Sequence, residues 1–207
     1  MTRYLLTVDR FSAWLGKAFG WSIVLLTLVV GVSVIFRYLF RITTVNQLGI
    51  NPSSNLAWPF VWFFDWAFDT SFILYGTLFM MSGAYTLSRN AHVRGDMLYR
   101  EWSVRTQAIV DLICYLTFFL PGILALVYSG WQFAEMSRLY NERSMATPGG
   151  PVIWPFKFVI PLAGLAMLLQ GIVEIIRTIE AIRTGEWPQR LSDVEETETR
   201  LAQETQV

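Results

Sequence analysis

Four long runs without a charged side chain constrain this chain more than any other feature. Ala18 to Phe36 is 19 residues with no charge, bounded by Lys17 and Arg37. The others are Thr70 to Ser88, Leu112 to Ala134, and Phe158 to Val173, the last continuing through Ile175 and Ile176. About 20 apolar residues at ~1.5 Å each cross a ~30 Å hydrocarbon core as a helix. The first run is too long for the usual signal-peptide core, and RYLFR after it offers no small-residue cleavage site. The runs predict an all-α integral membrane protein. Its four transmembrane helices lie at about 18–36, 70–88, 112–134 and 158–176, within a domain spanning 18–177.

Composition agrees and excludes several classes of function. Of the 207 residues 54% are hydrophobic, with a mean hydropathy of +0.42. A soluble domain of this size carries more charge and fewer long apolar runs. A net charge of zero argues against nucleic acid as a partner. The single cysteine, Cys114, can form neither an internal disulfide nor a CxxC pair. The single histidine, His92, excludes a bis-His haem held within the chain. No cofactor or metal is expected, and the chain does not read as an enzyme.

Between the runs lie shorter segments of distinct character. In residues 1–17, Arg3, Asp9, Arg10 and Lys17 alternate with Leu5, Leu6, Val8, Phe11 and Trp14. Two readings stand side by side: an amphipathic helix at the cytoplasmic membrane surface, or a plain charged flank. NPSSN, Asn51 to Asn55, is turn chemistry. In AWPFVWFFDWAFD (57–69), Trp58, Trp62 and Trp66 recur every four residues, as do Asp65 and Asp69. Each set shares one helical face. Trp prefers the headgroup layer, and carboxylates need water or a partner. The segment is therefore read as an interfacial helix leading into the second span. Its carboxylates would serve acid–base chemistry or an ion site or, more simply, face water or basic groups on a partner.

The loop SRNAHVRGDMLYR, Ser88 to Arg100, joins two helical hairpins. His92, Arg94 and Asp96 sit there, in a loop too short to form a pocket by itself. A capping or salt-bridging role competes with one in docking a partner or holding anionic headgroups. Asp111 opens the third span and is expected to pair with a nearby arginine, and Pro121 is expected to kink that span. In the fourth span, Glu174 and Arg177 are three apart and can pair, and Gln170 can bond to a neighbouring helix. Gly76 and Gly83, and Gly164 and Gly171, are each seven apart and mark smooth faces for close helix approach. The polar tail, 178–207, opens a short acidic helix at Ser192 with Glu195, or is simply solvated.

Orientation follows from the 16 Lys and Arg residues. Eleven lie at the two ends and in the central loop, against five in the other two loops. The positive-inside rule places both termini and the central loop in the cytoplasm. The Trp-rich segment and the Gly/Pro loop before the fourth span then face the periplasm of a bacterial inner membrane.

No span carries an ionisable group at its centre, and the two hairpins are not recognisably alike. Transporters usually build substrate sites at mid-membrane from broken helices in repeated halves. The residues point instead to an accessory or scaffolding subunit. VIFRYLF (Val34 to Phe40), SRNAHVRGDML (Ser88 to Leu98) and NERSMATPGGPVIWPFKFVIPLAGLAMLLQGIVEIIR (Asn141 to Arg177) together resemble the small membrane subunit, DctQ type, of tripartite ATP-independent periplasmic (TRAP) transporters. The resemblance covers roughly Phe19 to Arg177. It implies four spans with both ends inside, a large membrane subunit that carries the substrate, and a periplasmic binding protein that delivers it. It also implies import of an organic acid driven by a cation gradient, usually sodium. The insert with NPSSN and the Trp stretch resembles the branch associated with 2-oxo acids, mannitol-like or aromatic carboxylates. The family's usual acidic motif before the second span is not matched cleanly, and the resemblance implies that Asp65 and Asp69 stand in for it. The reading from another class is a stand-alone four-span organiser or lipid-binding protein without a transport role.

Overall fold

A computed structural model describes residues 2–40, 47, 49, 61–89, 99, 101–147 and 149–191. The elements described are all helical: α1 (Thr2–Gly20), α2 (Ser22–Ile35), α3 (Ala67–Ser88), α4 (Val104–Cys114), α5 (Leu120–Leu139), α6 (Trp154–Lys157) and α7 (Val159–Thr184). π-helical turns occupy Phe36–Phe40, Val61–Asp65 and Tyr115–Phe119. A lone antiparallel bridge joins Arg143 and Val152.

Three continuous helical stretches are long and apolar enough to cross a membrane: Tyr4–Tyr38, Val104–Leu139 and Trp154–Thr184. At 22 residues α3 is ~33 Å long, which is also sufficient length. Its hydroxyls (Thr70, Ser71, Tyr75, Thr77, Ser82, Tyr85, Thr86, Ser88) dilute its apolar character below that of the other three. Several of them are turned back onto the helix. Ser71 donates to the Ala67 carbonyl at 2.7 Å and Thr86 to that of Ser82 at 2.9 Å, which removes a donor from the apolar surroundings.

The residues after Val104 accommodate Pro121 without ending the helix. A proline has no N–H and its ring crowds the carbonyl four residues back, here that of Thr117. The π-helical turn Tyr115–Phe119 contains that residue and gives the wider spacing the ring needs.

The chain forms two compact units. One comprises Met1–Lys17, Met81–Ser129 and Pro161–Val207. In it α7 presents a buried face of small and polar residues, among them Ala163, Gly164, Ala166, Gln170, Gly171, Glu174, Arg177 and Ala181. Glycines allow close approach there: a Cβ on Gly83 would stand 2.8 Å from Met167 Sδ, and one on Gly164 2.8 Å from Val127 Cγ2. Gly171 faces the Phe119 ring, and Gly16 of α1 lies against Tyr85. The seven-residue glycine spacing thus marks close-packed faces. The other unit comprises Ala18–Met80 and Gly130–Ile160. There Gly76 faces Phe156, at 2.7 Å from its would-be Cβ, and Trp131 packs edge-on against Phe158. Phe36 meets Phe64 edge-on, and Ser33 donates to the Phe63 carbonyl.

The distribution of polarity is inverted relative to a soluble protein. Large apolar residues such as Leu25, Leu28, Phe72, Leu116, Leu165 and Leu169 are exposed. Asp9, Ser12, Asp69, Gln170, Glu174 and Arg177 are buried. A bilayer solvates the first set and penalises the second, so this arrangement fits a membrane interior.

The structure adds detail to two segments at the ends of the described chain. The lead-in 1–17 is continuous with the first span apart from one turn at Trp21, and its polar residues Asp9 and Ser12 point inward while Tyr4, Phe11 and Trp14 are exposed. The tail remains helical through Thr184. Gly185, at φ +84°, then ends the helix by donating its N–H to the Ala181 carbonyl. The chain returns through Trp187, which donates to Gln107, and Arg190, and Leu191 is buried. Ser192 and Glu195 lie outside the described residues.

Candidate functional site

Helical spacing aligns three polar side chains on α7: Gln170, Glu174 and Arg177, at i, i+4 and i+7. Asp9 and Ser12 sit one turn apart on α1 and meet them. Arg177 grips Asp9 with both terminal nitrogens, Nη1 to Oδ1 at 3.1 Å and Nη2 to Oδ2. Its Nη1 also donates to Glu174 Oε1 at 2.8 Å. Gln170 Nε2 donates to Asp9 Oδ1 at 2.9 Å, and Gln170 Oε1 accepts from Ser12 at 2.8 Å. Arg190, on the returning segment, donates to Glu174 Oε2 at 3.0 Å. Two carboxylates and two guanidinium groups make the cluster neutral, and Arg177 and Asp9 are wholly removed from solvent. Buried charges are tolerable only when paired and hydrogen-bonded in this way. The planar guanidinium fork grips Asp9 at two points while also serving Glu174, a two-point geometry that a lysine ammonium lacks.

A second cluster lies in the other unit. Asp69, in the first turn of α3, accepts from the hydroxyls of Ser144 and Thr147. A carboxylate at a helix N-terminus is also favoured by the helix dipole. The loop it holds is further tied by Glu142, which accepts from Lys157 at 2.5 Å, and by Arg143, which donates to the Gly150 carbonyl at 3.2 Å. The Lys157 hydrogen bond holds the Glu142 carboxyl below the usual carboxylate range. Lys157 also stands 3.9 Å from the centre of the Phe133 ring.

The residues singled out in sequence are distributed unevenly. Trp62 and Trp66 meet edge-on, with ring centres 5.1 Å apart, and both are half-buried. Asp65 is half-buried, whereas Asp69 is buried and engaged by its own chain. One turn residue, Trp66, separates the π-helical turn Val61–Asp65 from α3, and its carbonyl accepts from the Thr70 N–H at 2.8 Å. Trp58, His92, Arg94 and Asp96 lie outside the described residues. Asp111 accepts from the Tyr99 hydroxyl at 2.8 Å. Glu174, Arg177 and Gln170 behave as their spacing suggested. Asp9, Ser12, Arg190, Ser144 and Thr147 are additions from the structure. The signal for Asp9 was its place as the sole acid of an otherwise apolar and basic lead-in.

The arrangement has the chemistry of a fastener. Most of its donors and acceptors are aimed at one another, Arg177 Nε being buried without a hydrogen-bond partner among the described residues, and it ties the first helix and the returning tail to α7. Among known proteins, the family model for the DctQ component of tripartite ATP-independent periplasmic transporters matches residues 26–181. That stretch includes Gln170, Glu174 and Arg177, and excludes Asp9, Ser12 and Arg190. No curated protein matches the chain. With well over half its length matched, the chain belongs to the DctQ family, the DctQ component of tripartite ATP-independent periplasmic transporters.

Proposed function

We propose that this chain is the small scaffolding subunit of a cation-gradient-driven transporter that imports an organic acid across a bacterial inner membrane. It works with a large membrane subunit that carries the substrate and a periplasmic protein that delivers it. The observation that carries the scaffold reading is the closed charge cluster of Asp9, Glu174, Arg177 and Arg190. Ionisable groups inside a membrane usually mark a substrate or ion path. Here they neutralise one another and join distant parts of the chain, which suits a fixed frame.

In this reading α3 is a fourth span, both termini are cytoplasmic, and the loop 140–153 and the Trp-rich segment face the periplasm. Trp62, Asp65 and Trp66 then lie at the outer membrane surface with Trp58, available to the binding protein. His92, Arg94 and Asp96 lie on the cytoplasmic side, where arginines suit anionic lipid headgroups or a partner.

Cysteine labelling of intact cells tests the orientation, in a Cys114→Ser background. Single cysteines at positions 53 and 145 should react with an impermeant reagent, and one at position 91 should react only after permeabilisation. The reverse pattern would invert the topology and remove the periplasmic docking role.

A further inference from the structure

Other helices expose rings too, such as Phe11 and Trp14 on α1 and Tyr128 and Trp131 on α5, but α3 exposes four in one stripe. Phe68, Phe72, Tyr75 and Phe79 follow one another at i, i+4, i+7 and i+11, so they form one ladder along the helix. They are 58%, 63%, 61% and 68% exposed. Phe68 and Phe72 pack edge-on, with centres 5.0 Å apart. By contrast, α2 exposes aliphatic residues: Ile23, Val24, Leu25, Leu28, Val34 and Ile35. Branched aliphatics suit lipid chains.

Two features argue that protein rather than lipid covers the ladder. Lipid-facing aromatic belts gather at the headgroup level, at the ends of spans. This ladder covers ~16 Å of a ~33 Å helix. Tyr75 stands ~12 Å from one end of α3 and ~20 Å from the other, and its hydroxyl makes no hydrogen bond among the described residues. A phenol there lacks a partner in hydrocarbon and finds one at a protein surface. The helix that carries the ladder is also the long one whose apolar character is diluted.

The area is sufficient to matter. An aromatic side chain buries ~200 Å² when fully covered, so four rings about 60% exposed offer on the order of 500 Å². A stable interface buries ~800 Å² on each partner. The ladder would supply more than half of that and would form its aromatic centre, where binding energy concentrates.

We propose that the Phe68–Phe72–Tyr75–Phe79 face of α3 is the docking surface for a transmembrane helix of the large membrane subunit. This rests on the reading of the chain as the small subunit. The partner helix is expected to present small residues between which the rings insert, and an oxygen acceptor opposite the Tyr75 hydroxyl.

The test uses the whole complex, with this chain tagged and the large subunit co-expressed. A photoreactive phenylalanine analogue replaces Phe72 in one variant and Leu25 in another. Irradiation should join the chain to the large subunit from position 72 and not from position 25. A second variant, Phe72→Leu with Tyr75→Leu, keeps the face apolar for lipid but removes the rings, and should recover at least tenfold less large subunit than wild type. Adducts at position 72 only with lipid, with a second copy or within the chain would overturn the proposal, as would undiminished recovery of the leucine variant. If wild type recovers the large subunit while position 72 does not join it, the docking face is wrong and the small-subunit reading stands. If wild type recovers no large subunit, that reading fails and takes the docking face with it.

Discussion

Arg177 and Asp9, 168 residues apart, face each other as a two-point ion pair from which solvent is wholly excluded. Arg177 also serves Glu174, so removing it strands two carboxylates against the single charge of Arg190. Leaving a buried charge unpaired costs about 3–5 kcal/mol. Arg177→Gln should therefore lower the melting temperature in detergent sharply. The double variant Asp9→Asn, Arg177→Gln leaves a neutral Glu174–Arg190 pair and should be more stable than Arg177→Gln alone. Equal melting of the two variants would show that charge balance is not what the cluster provides.

The closest helix approach predicts a ranking of glycine variants. A Cβ on Gly16 meets the Cβ of Tyr85, which is fixed to the main chain, whereas one on Gly171 meets the edge of the Phe119 ring, which can turn. Gly16→Ala should cost roughly 1–3 kcal/mol as an overpacked contact, and Gly171→Ala less. Gly122 has nothing within 4 Å of its would-be Cβ. Gly122→Ala should be neutral or slightly stabilising, from helix propensity. Thermal unfolding of the three purified variants decides the order, and a destabilised Gly122→Ala alongside an unaffected Gly16→Ala would contradict it.

Asp69 holds the loop before α6 through Ser144 and Thr147. Hydrogen bonds to a charged group contribute roughly 1.5–3 kcal/mol each. In Asp69→Ala the loop should open more often, and trypsin should cut after Arg143 at least tenfold faster than in wild type. Asp65→Ala should have a smaller effect. Unchanged cleavage in Asp69→Ala would mean that the loop is held by Glu142, Lys157 and its own turns.

The parts legible in the sequence are those set by local geometry. Glu174 and Arg177 are three residues apart on a helix, so their pairing needs only the helical repeat. The glycines at 76, 83, 164 and 171 could be read the same way, and they do meet neighbours at close range. The charge-free runs became helices because lipid leaves the backbone no other partner. Asp9 stood out as the sole acid of the lead-in, but its pairing with Arg177 was not legible. Its partner lies at the far end of the chain, and an amphipathic lead-in is conventionally read with its charges facing water. In an apolar surrounding the sense inverts, and Asp9 turns toward Arg177. Asp69 follows the same rule, buried on the Ser144 and Thr147 hydroxyls. Pro121 signalled an irregular helix, but not that a π-helical turn at Tyr115–Phe119 would absorb it.

In the proposed function this chain frames a transporter and does not itself carry substrate. Uptake of labelled organic acids into proteoliposomes under an inward sodium gradient tests it most directly, using candidate acids bound by the cognate periplasmic protein. Vesicles with this chain, the large subunit and that periplasmic protein should accumulate label, vesicles with this chain alone should match empty ones, and omission of this chain should abolish uptake. Accumulation by this chain alone, or full uptake in its absence, would contradict the account.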